Sequence, residues 1–296
     1  MKKYFWFLII ILLMGCGKES GKLRLGLIKP SLDHLPVDYA IDQQLLHSED
    51  IEIVYFNSGW ETNEALITNN IDVAILPFTY IITDVACGEE VKIVSFLERE
   101  SDGIISRSDI KKVEDLDNKK IGVLKASTLD ILAEDVLQKN KLNSELVYLR
   151  TPMDLAASLK SGEVDALSFY SPSILKFDNQ FNVIHWYAND FPNHPCCDIA
   201  ATTSALNNKS KQLNSFLKSM EQSCELINSD IAQSASFAAE HFGLDYEVAK
   251  SSLKHTPFMM DLAQDQQKFE LEMGKIMLDK GYIEKIPTAE ELYKQN

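Results

Sequence analysis

The sequence predicts an α/β protein of two lobes, each a mostly parallel sheet flanked by helices, with a ligand cleft between them. Three observations predict it. Short apolar runs alternate with segments of helical period, the pattern of parallel strands joined by right-handed crossovers. The alternation breaks once, at the charged run Glu98-Arg99-Glu100-Ser101-Asp102-Gly103, and then resumes in a second unit built like the first. From Ser210 the chain is helical to its end, so it can return to the first unit and complete it.

Each element has a local reason. Lys22 to Ile28 alternates and then turns apolar, and reads as the first core strand. His34-Leu35-Pro36 opens a helix expected to run to about Leu46, with the proline where a missing N–H does no harm. Ile51–Phe56 is a strand, Asn57–Trp60 a loop, Glu61–Asn69 a helix and Ile71–Leu76 a strand. Pro77-Phe78-Thr79 ends that strand and leads into a helix through about Ala86, and Val91–Leu97 is the fourth strand. In the second unit, Lys119–Leu124 is a strand followed by a helix starting at Ser127-Thr128, where a hydroxyl can accept from a free N–H of the first turn. Backbone N–H groups at such a start can face a ligand. Glu145–Leu149 is a strand, Met153–Lys160 a helix stopped at Ser161-Gly162, Val164–Tyr170 a strand, and Asn182–Trp186 another. Helical period returns near 210–228, 230–242, 245–254 and 260–280. In open parallel sheets ligands sit beyond the carboxyl ends of strands. In the first unit those ends are Ser31–Pro36, Asn57–Trp60 and Pro77–Thr79.

Composition is that of an ordinary globular chain, 45% hydrophobic and 25% charged over 296 residues. The N-terminus sets the location. Lys2-Lys3 precedes the apolar run Tyr4–Met14, too short for a comfortable membrane span but suited to a secretory signal. It ends at Leu13-Met14-Gly15-Cys16, which resembles the lipobox of bacterial lipoproteins. That resemblance implies removal of residues 1–15, lipid on Cys16, and a tether over 16–21. The alternatives are a plain secretory peptide or a membrane anchor. The protein is then expected in the cell envelope, facing the periplasm or the outer side of the cell membrane. Net charge is −15, and because residues 1–15 hold two lysines and no acid, the mature chain carries −17. That argues against nucleic acid as a partner.

Several stretches together resemble the type II periplasmic binding proteins of ABC importers. The similar group includes binding proteins for nitrate, alkanesulfonates, taurine and thiamine-pyrimidine precursors. The resemblance rests on Asp33-His34-Leu35-Pro36 with Tyr39-Ala40, Asn63-Glu64-Ala65-Leu66 through Ile71-Asp72-Val73-Ala74, Asp115-Leu116 with Lys119-Lys120-Ile121-Gly122-Val123, and Leu155–Ala166. Two departures stand out: Asn118 and Ala126 occupy positions where the group carries glycine. The resemblance implies lobe 1 from 22–100 and 198–296, lobe 2 from 101–197, hinge closure on a small molecule, delivery to an ABC permease, and a monomer without cofactor. Carried over by position, lobe 1 offers Ser31, His34, Ser58, Trp60, Phe78 and Thr79, and lobe 2 offers Lys125, Ser127, Thr128, Tyr170 and Ser171. The Ser127-Thr128 helix start is expected to face Ser58-Gly59-Trp60 across the cleft. Each has a plainer alternative: Trp60 as lobe-edge packing, His34 as a helix start that touches no ligand, Lys125 as a solvated turn residue.

His194-Pro195-Cys196-Cys197 falls at the return crossing and so should adjoin the cleft. It could touch the ligand, hold a soft metal, or be structural. The yeast-type thiamine-pyrimidine synthase, similar in fold, also carries a cysteine-rich run, which keeps a related enzyme as an alternative. With Cys16 assigned to lipid, Cys87, Cys196, Cys197 and Cys224 remain, and three disulfide pairings are possible on paper. No GxSxG elbow or HExxH pair is present, so an enzyme is not the leading expectation. Trp60, Phe78 and Tyr170 suit a flat heteroaromatic ring, while a sulfonate or nitrate could be held by N–H and hydroxyl donors.

Overall fold

The computed structural model describes residues 21–29, 32–176 and 181–295. Ser31 and Cys16, with the expected signal and nearly all of the expected tether, lie outside the described residues.

The first sheet contains β1 (Leu23–Ile28), β2 (Ile51–Phe56), β3 (Val73–Pro77), β4 (Val91–Phe96) and β10 (Cys197–Thr202), in the order β2-β1-β3-β10-β4. The second contains β5 (Asp102–Arg107), β6 (Lys120–Leu124), β7 (Glu145–Leu149), β8 (Ala166–Tyr170) and β9 (Phe181–Trp186), in the order β7-β6-β8-β5-β9. Each sheet is mixed in the same way. β1 runs parallel to β2 and β3, and β6 runs parallel to β7 and β8. β10 is antiparallel to β3 and β4, and β5 is antiparallel to β8 and β9. Each antiparallel strand is the one by which the chain enters a sheet from the other lobe.

The helices follow from the apolar spacing and from their stops. α1 (Leu35–Asp42) ends earlier than the periodicity suggests, because Gln44 turns into the left-handed region at φ 57°. α2 (Gly59–Ile67) starts one residue before Trp60, so the tryptophan sits in a helical first turn and not in a loop. α3 (Phe78–Cys87) stops at Gly88, and α4 (Thr128–Asn140) at Lys141, both left-handed. α5 (Pro152–Ser161) opens on a reciprocal Thr151–Asp154 cap and ends at left-handed Gly162, where the sequence places its stop. α6 (Ser173–Lys176) is short. After β10 come α7 (Thr203–Asn208), α8 (Ser210–Ser229), α9 (Ile231–Phe242), α10 (Tyr246–Lys254), α11 (Gln264–Asp279) and α12 (Ala289–Leu292).

α11 does more than complete the first unit. Phe269 meets Phe78 of lobe 1 edge-on, with ring centroids 6.1 Å apart. Just past the helix, Lys280 pairs with Glu134 at 2.8 Å, and the Tyr282 hydroxyl donates to Asp130 at 2.7 Å, both on α4. One apolar cluster therefore runs from Phe78 and Phe96 through Met273 and Met277 to Ile121 and Val136. Burying that surface holds the lobes together in this arrangement.

Candidate functional site

Three backbone segments lace the lobes. The first crossing, 97–102, lies between the second crossing, 193–198, and the loop before α11. On one side, the Cys196 N–H donates to the Glu98 carbonyl and the Glu98 N–H to the Cys197 carbonyl, both at 3.1 Å, and the Glu100 N–H reaches the His194 carbonyl at 3.0 Å. On the other, the Arg99 N–H donates to Pro257 at 3.0 Å and the Ser101 N–H to His255 at 2.7 Å. Glu100 and Ser101 are consecutive left-handed residues, at φ 63° and 42°, and neither is glycine. Backbone strain of this kind persists only where the surroundings over-determine it, and it tends to gather at functional sites.

The side chains at this joint are polar, buried and poorly matched. Glu98 is fully buried, and neither carboxylate oxygen has a hydrogen-bond partner. Burial drives its carboxyl well above the usual range and Asp33 and Asp102 push it further, while the nearby Ser101 and Cys197 side chains pull the other way. Asp102 Oδ1 accepts from the Ser101 hydroxyl at 3.2 Å, while Oδ2 has no hydrogen-bond partner. His194 is fully buried, and its Nδ1 lies 2.8 Å from the Phe191 carbonyl. A carbonyl can only accept, so Nδ1 carries a proton, and Nε2 lies 4.0 Å from Asp102 Oδ2. The Tyr170 phenol is raised above its ordinary value by burial and by Asp33, Cys197, Asp102 and Glu98, so it shares their pocket. Tyr80, from α3, is pushed up to about 12 by burial and by Cys197.

Cys87, Cys196, Cys197 and Cys224 are free thiols. Donor atoms of Glu98, Cys196 and Cys197 lie within 4.8 Å of one another. The bond between the two thiols, together with burial, raises Cys196, and burial raises Cys197 against the pull of that bond. A thiol must lose its proton to ligate an ion, so this environment opposes one.

The sequence candidates divide. Tyr170, Ser171, His194, Cys196 and Cys197 meet at the joint, and buried Thr79 follows Pro77, which pairs with Cys197 in the sheet. His34 is buried, its Nε2 accepting from the Ile28 N–H at 3.0 Å, and burial lowers it to about 3, so it is neutral. Thr128 also reaches the joint: its hydroxyl donates to the Cys196 carbonyl at 3.3 Å. Trp60, in the first turn of α2, is 62% exposed. Ser58 is occupied capping α2, accepting from the Glu61 N–H at 3.2 Å. Lys125 is exposed, its ammonium 6.0 Å from the Tyr282 ring centre. Phe78 packs into the core against Phe269. Ser127 makes no side-chain cap: its hydroxyl donates to the Leu124 carbonyl at 2.7 Å. Asp130 accepts instead from the N–H of Ala126, two residues before the helix begins, at 2.9 Å.

The residues that sequence reasoning missed are Asp33, Tyr80, Glu98, Asp102 and Asp198. Asp198 is fully buried, raised by burial and by its neighbour Glu270, with Arg99 opposing. The available signal was position. A charged run at an inter-lobe crossing is packed from both sides, unlike one on a helix face.

No curated protein sequence matches the chain. Among solved structures, it is similar to the alkanesulfonate-binding protein SsuA of Xanthomonas axonopodis pv. citri bound to MOPS, at 20% identity and TM-score 0.80, covering 93% of this chain and 98% of that one. The aliphatic sulphonate binding protein SsuA of Escherichia coli follows at 22% identity and TM-score 0.79, covering 93% and 92%. The ligand-binding component of an ABC-type import system from Staphylococcus aureus, with zinc bound, is similar at 17% identity and TM-score 0.79, covering 92% and 96%. These likenesses show the two-lobed fold of periplasmic binding proteins. A family model described as "NMT1/THI5 like" matches residues 31–230, from the start of α1 into the C-terminal helices, and the chain belongs to that family.

Proposed function

We propose that this chain is the solute-binding protein of an ABC importer, held at the cell surface by lipid on Cys16, which captures a small molecule between its lobes and passes it to a permease. One observation carries the reading. Buried polar groups from both lobes and both crossings converge at the joint with their hydrogen bonds unmet, at Glu98, Asp102, Ser171 and His194. Buried polar atoms without partners cost about 1–3 kcal/mol each. A protein that keeps several in one place has a use for them, and a ligand entering an opened cleft is the partner that satisfies them. Closure is then driven by contacts made only in the closed state. Two of the similar structures are named for sulfonates, and the binding-protein group that the sequence resembles includes those for thiamine-pyrimidine precursors, so a heteroaromatic ring and a sulfonate- or nitrate-type anion are the two ligand classes to compare. Catalysis by Cys196 and Cys197 is not favoured, because burial holds both thiols protonated.

The test is a thermal-shift screen of thiamine-pyrimidine precursors, sulfonates, nitrate and riboflavin, followed by small-angle scattering of any hit. A ligand that raises the melting temperature and reduces the radius of gyration is the expected result. No shift from any compound, with an unchanged radius, would sink the proposal. Cys16→Ser, expected to release the protein from membranes, tests the anchor separately.

A further inference from the structure

We infer that the chain docks on its membrane partner through two matched surface patches, Tyr55 with Trp60 on lobe 1 and Tyr148 with Met153 on lobe 2. The partner meets them with two equivalent apolar grooves, as a permease built of two like halves offers. The inference rests on the importer reading above and names the surface by which the permease is met.

The patches belong to an internal repeat. Glu52–Glu61 reads EIVYFNSGWE and Glu145–Asp154 reads ELVYLRTPMD. Glutamate, valine and tyrosine recur at the same places, and Ser58 with Thr151 and Glu61 with Asp154 are like for like. The correspondence runs on without a gap to Asp72 and Asp165. Those two carboxylates do the same work: Asp72 accepts from the Arg24 N–H at 2.7 Å and Asp165 from the Lys120 N–H at 3.0 Å. Arg24 lies opposite Glu52 in its sheet, and Lys120 lies opposite Glu145 in the other. β2 and β7 are both edge strands. Ser58 caps α2 and Thr151 caps α5, each accepting from the N–H three residues on. Trp60 and Met153 are each the second residue of the helix that follows.

Part of this repeat serves folding. The caps start the helices, and Leu66 and its counterpart Leu159 are buried in the core. The exposed part has no such use. Tyr55 is 46% exposed and Tyr148 43%, while Met153, at 80%, matches Trp60 in standing clear of the surface. These four are half of the eight large apolar side chains exposed among the described residues. A single exposed apolar side chain is ordinary. The same pair recurring at the same spacing in each lobe calls for something that touches both. Each tyrosine also carries a lysine over its ring, Lys29 at 4.4 Å from the Tyr55 centre and Lys280 at 5.6 Å from that of Tyr148. On a chain of net charge −15 these cations favour an apolar groove edged with acid.

The fold puts the patches where a transporter must read the protein. Pro77, at the carboxyl end of β3, pairs with Cys197 at the joint, and Tyr170, at the carboxyl end of β8, pairs with Asp102. β2 runs parallel to β3 with β1 between them, and β7 runs parallel to β8 with β6 between them. The carboxyl ends of β2 and β7 therefore flank the cleft, one in each lobe. A lipid surface gives no reason for the same two side chains at the same spacing on both lobes, whereas two copies of one groove do. Because the patches ride on different lobes, their separation changes with closure. A partner that needs both at once then binds the closed form in preference to the open one.

The test places the photoreactive residue p-benzoylphenylalanine at Tyr55 or at Tyr148 in the full lipid-anchored chain. Membranes of the cells that make it are irradiated, and labelled peptides are identified by mass spectrometry. The expected result is that both positions label the same segment of one permease polypeptide. Met153→Ala should reduce labelling from position 55 tenfold or more, and Trp60→Ala should do the same to labelling from position 148, because the second contact is made from an already tethered protein. Both side chains are exposed, so the urea midpoint should stay unchanged. The double exchange Trp60→Met with Met153→Trp should keep labelling within about threefold of the parent, since equivalent grooves accept either anchor. An exchange variant as weak as the alanine variants overturns the inference. So does labelling of different proteins from the two positions, of lipid alone, or of a second copy of this chain. A solute found by the thermal-shift screen, with no permease labelled, overturns the docking surface and leaves solute capture standing. The permease labelled from both positions, with no solute found by that screen, supports the docking surface and sinks solute capture.

Discussion

The Thr128 hydroxyl, at the first residue of α4 in lobe 2, donates 3.3 Å to the Cys196 carbonyl in the second crossing. Cys196 leads directly into β10 of lobe 1, and the Phe78 N–H approaches the same carbonyl at 3.4 Å. One carbonyl thus takes a bond from each lobe. Thr128→Val keeps the branched shape and removes the donor. It should cost about 1 kcal/mol of the closed arrangement. Hydrogen exchange of the 97–102 and 193–198 amides should quicken, while the β6 amides keep their protection. Unchanged exchange at both crossings would show that this bond does not help hold the lobes.

Ala126 and Asn118 are the two positions where glycine would be expected, and the backbone still makes the glycine turn at both. Asn118 sits at φ 57° and Ala126 at φ 59°. Asparagine tolerates that region, but alanine there costs about 1–2 kcal/mol in clash between Cβ and the backbone. Ala126→Gly relieves it and gives part back through a freer unfolded chain. The net expectation is stabilisation by roughly 0.5 kcal/mol, read as a rise in urea midpoint at constant slope. A fall in the midpoint would mean that the alanine methyl packs usefully at the α4 start.

These two turns show what the sequence could and could not give up. Strands β1, β3 and β4 are covered on both sides, so they stand out as near-continuous apolar runs such as Val73–Leu76. The helix stop at Gly162 is local chemistry and could be read directly. The site was harder, because its chemistry is non-local. Glu98 to Asp102 looks like any solvated charged break until the second crossing and the 255–261 loop close over it. Trp60, read from the sequence as a loop residue, stands in the first turn of α2 and is exposed. Ser127 looked like a cap, but its hydroxyl turns back to the Leu124 carbonyl. Nor could periodicity distinguish β5 and β10, which enter their sheets antiparallel, from their parallel neighbours.

Asp72 shows the physical reason behind one of the resembling motifs. It is buried, and it accepts from the Arg24 N–H at 2.7 Å, from Arg24 Nη2 at 2.7 Å and from Lys209 Nζ at 2.8 Å. It clamps β1 to the turn before β3 and to the end of α7. Burial alone would raise its carboxyl, but the bonds from Arg24 and Lys209 outweigh that and hold it below the ordinary value. The clamp's stability is therefore present at neutral pH and lost as pH falls through the lowered value. Asp72→Asn leaves Lys209, only 6% exposed, without its counter-charge. The expected cost is about 3 kcal/mol at pH 7 by urea unfolding, shrinking toward zero near pH 2. An equal cost at both pH values would show that packing, not charge, is what the substitution removes.

Asp84 makes the opposite case. It lies buried on α3, with Oδ1 taking the Asn63 amide at 2.9 Å and Oδ2 unpartnered. Burial raises its carboxyl to about 7, against the pull of that amide, with Glu89 and Glu64 adding a further push. A group raised in the folded state favours folding while it is protonated there. That contribution is whole below the unfolded value near 4, and it is lost as pH rises through about 7. The parent protein should therefore lose stability from pH 4 to pH 7 on this account. Asp84→Asn keeps the size and cannot ionise. It should flatten that slope and stabilise the protein at pH 8 by on the order of 2 kcal/mol. At pH 4 it should be close to neutral. Denaturant melts of both proteins across this range decide the matter, and parallel pH profiles would show that Asp84 reaches solvent and ionises at its ordinary value.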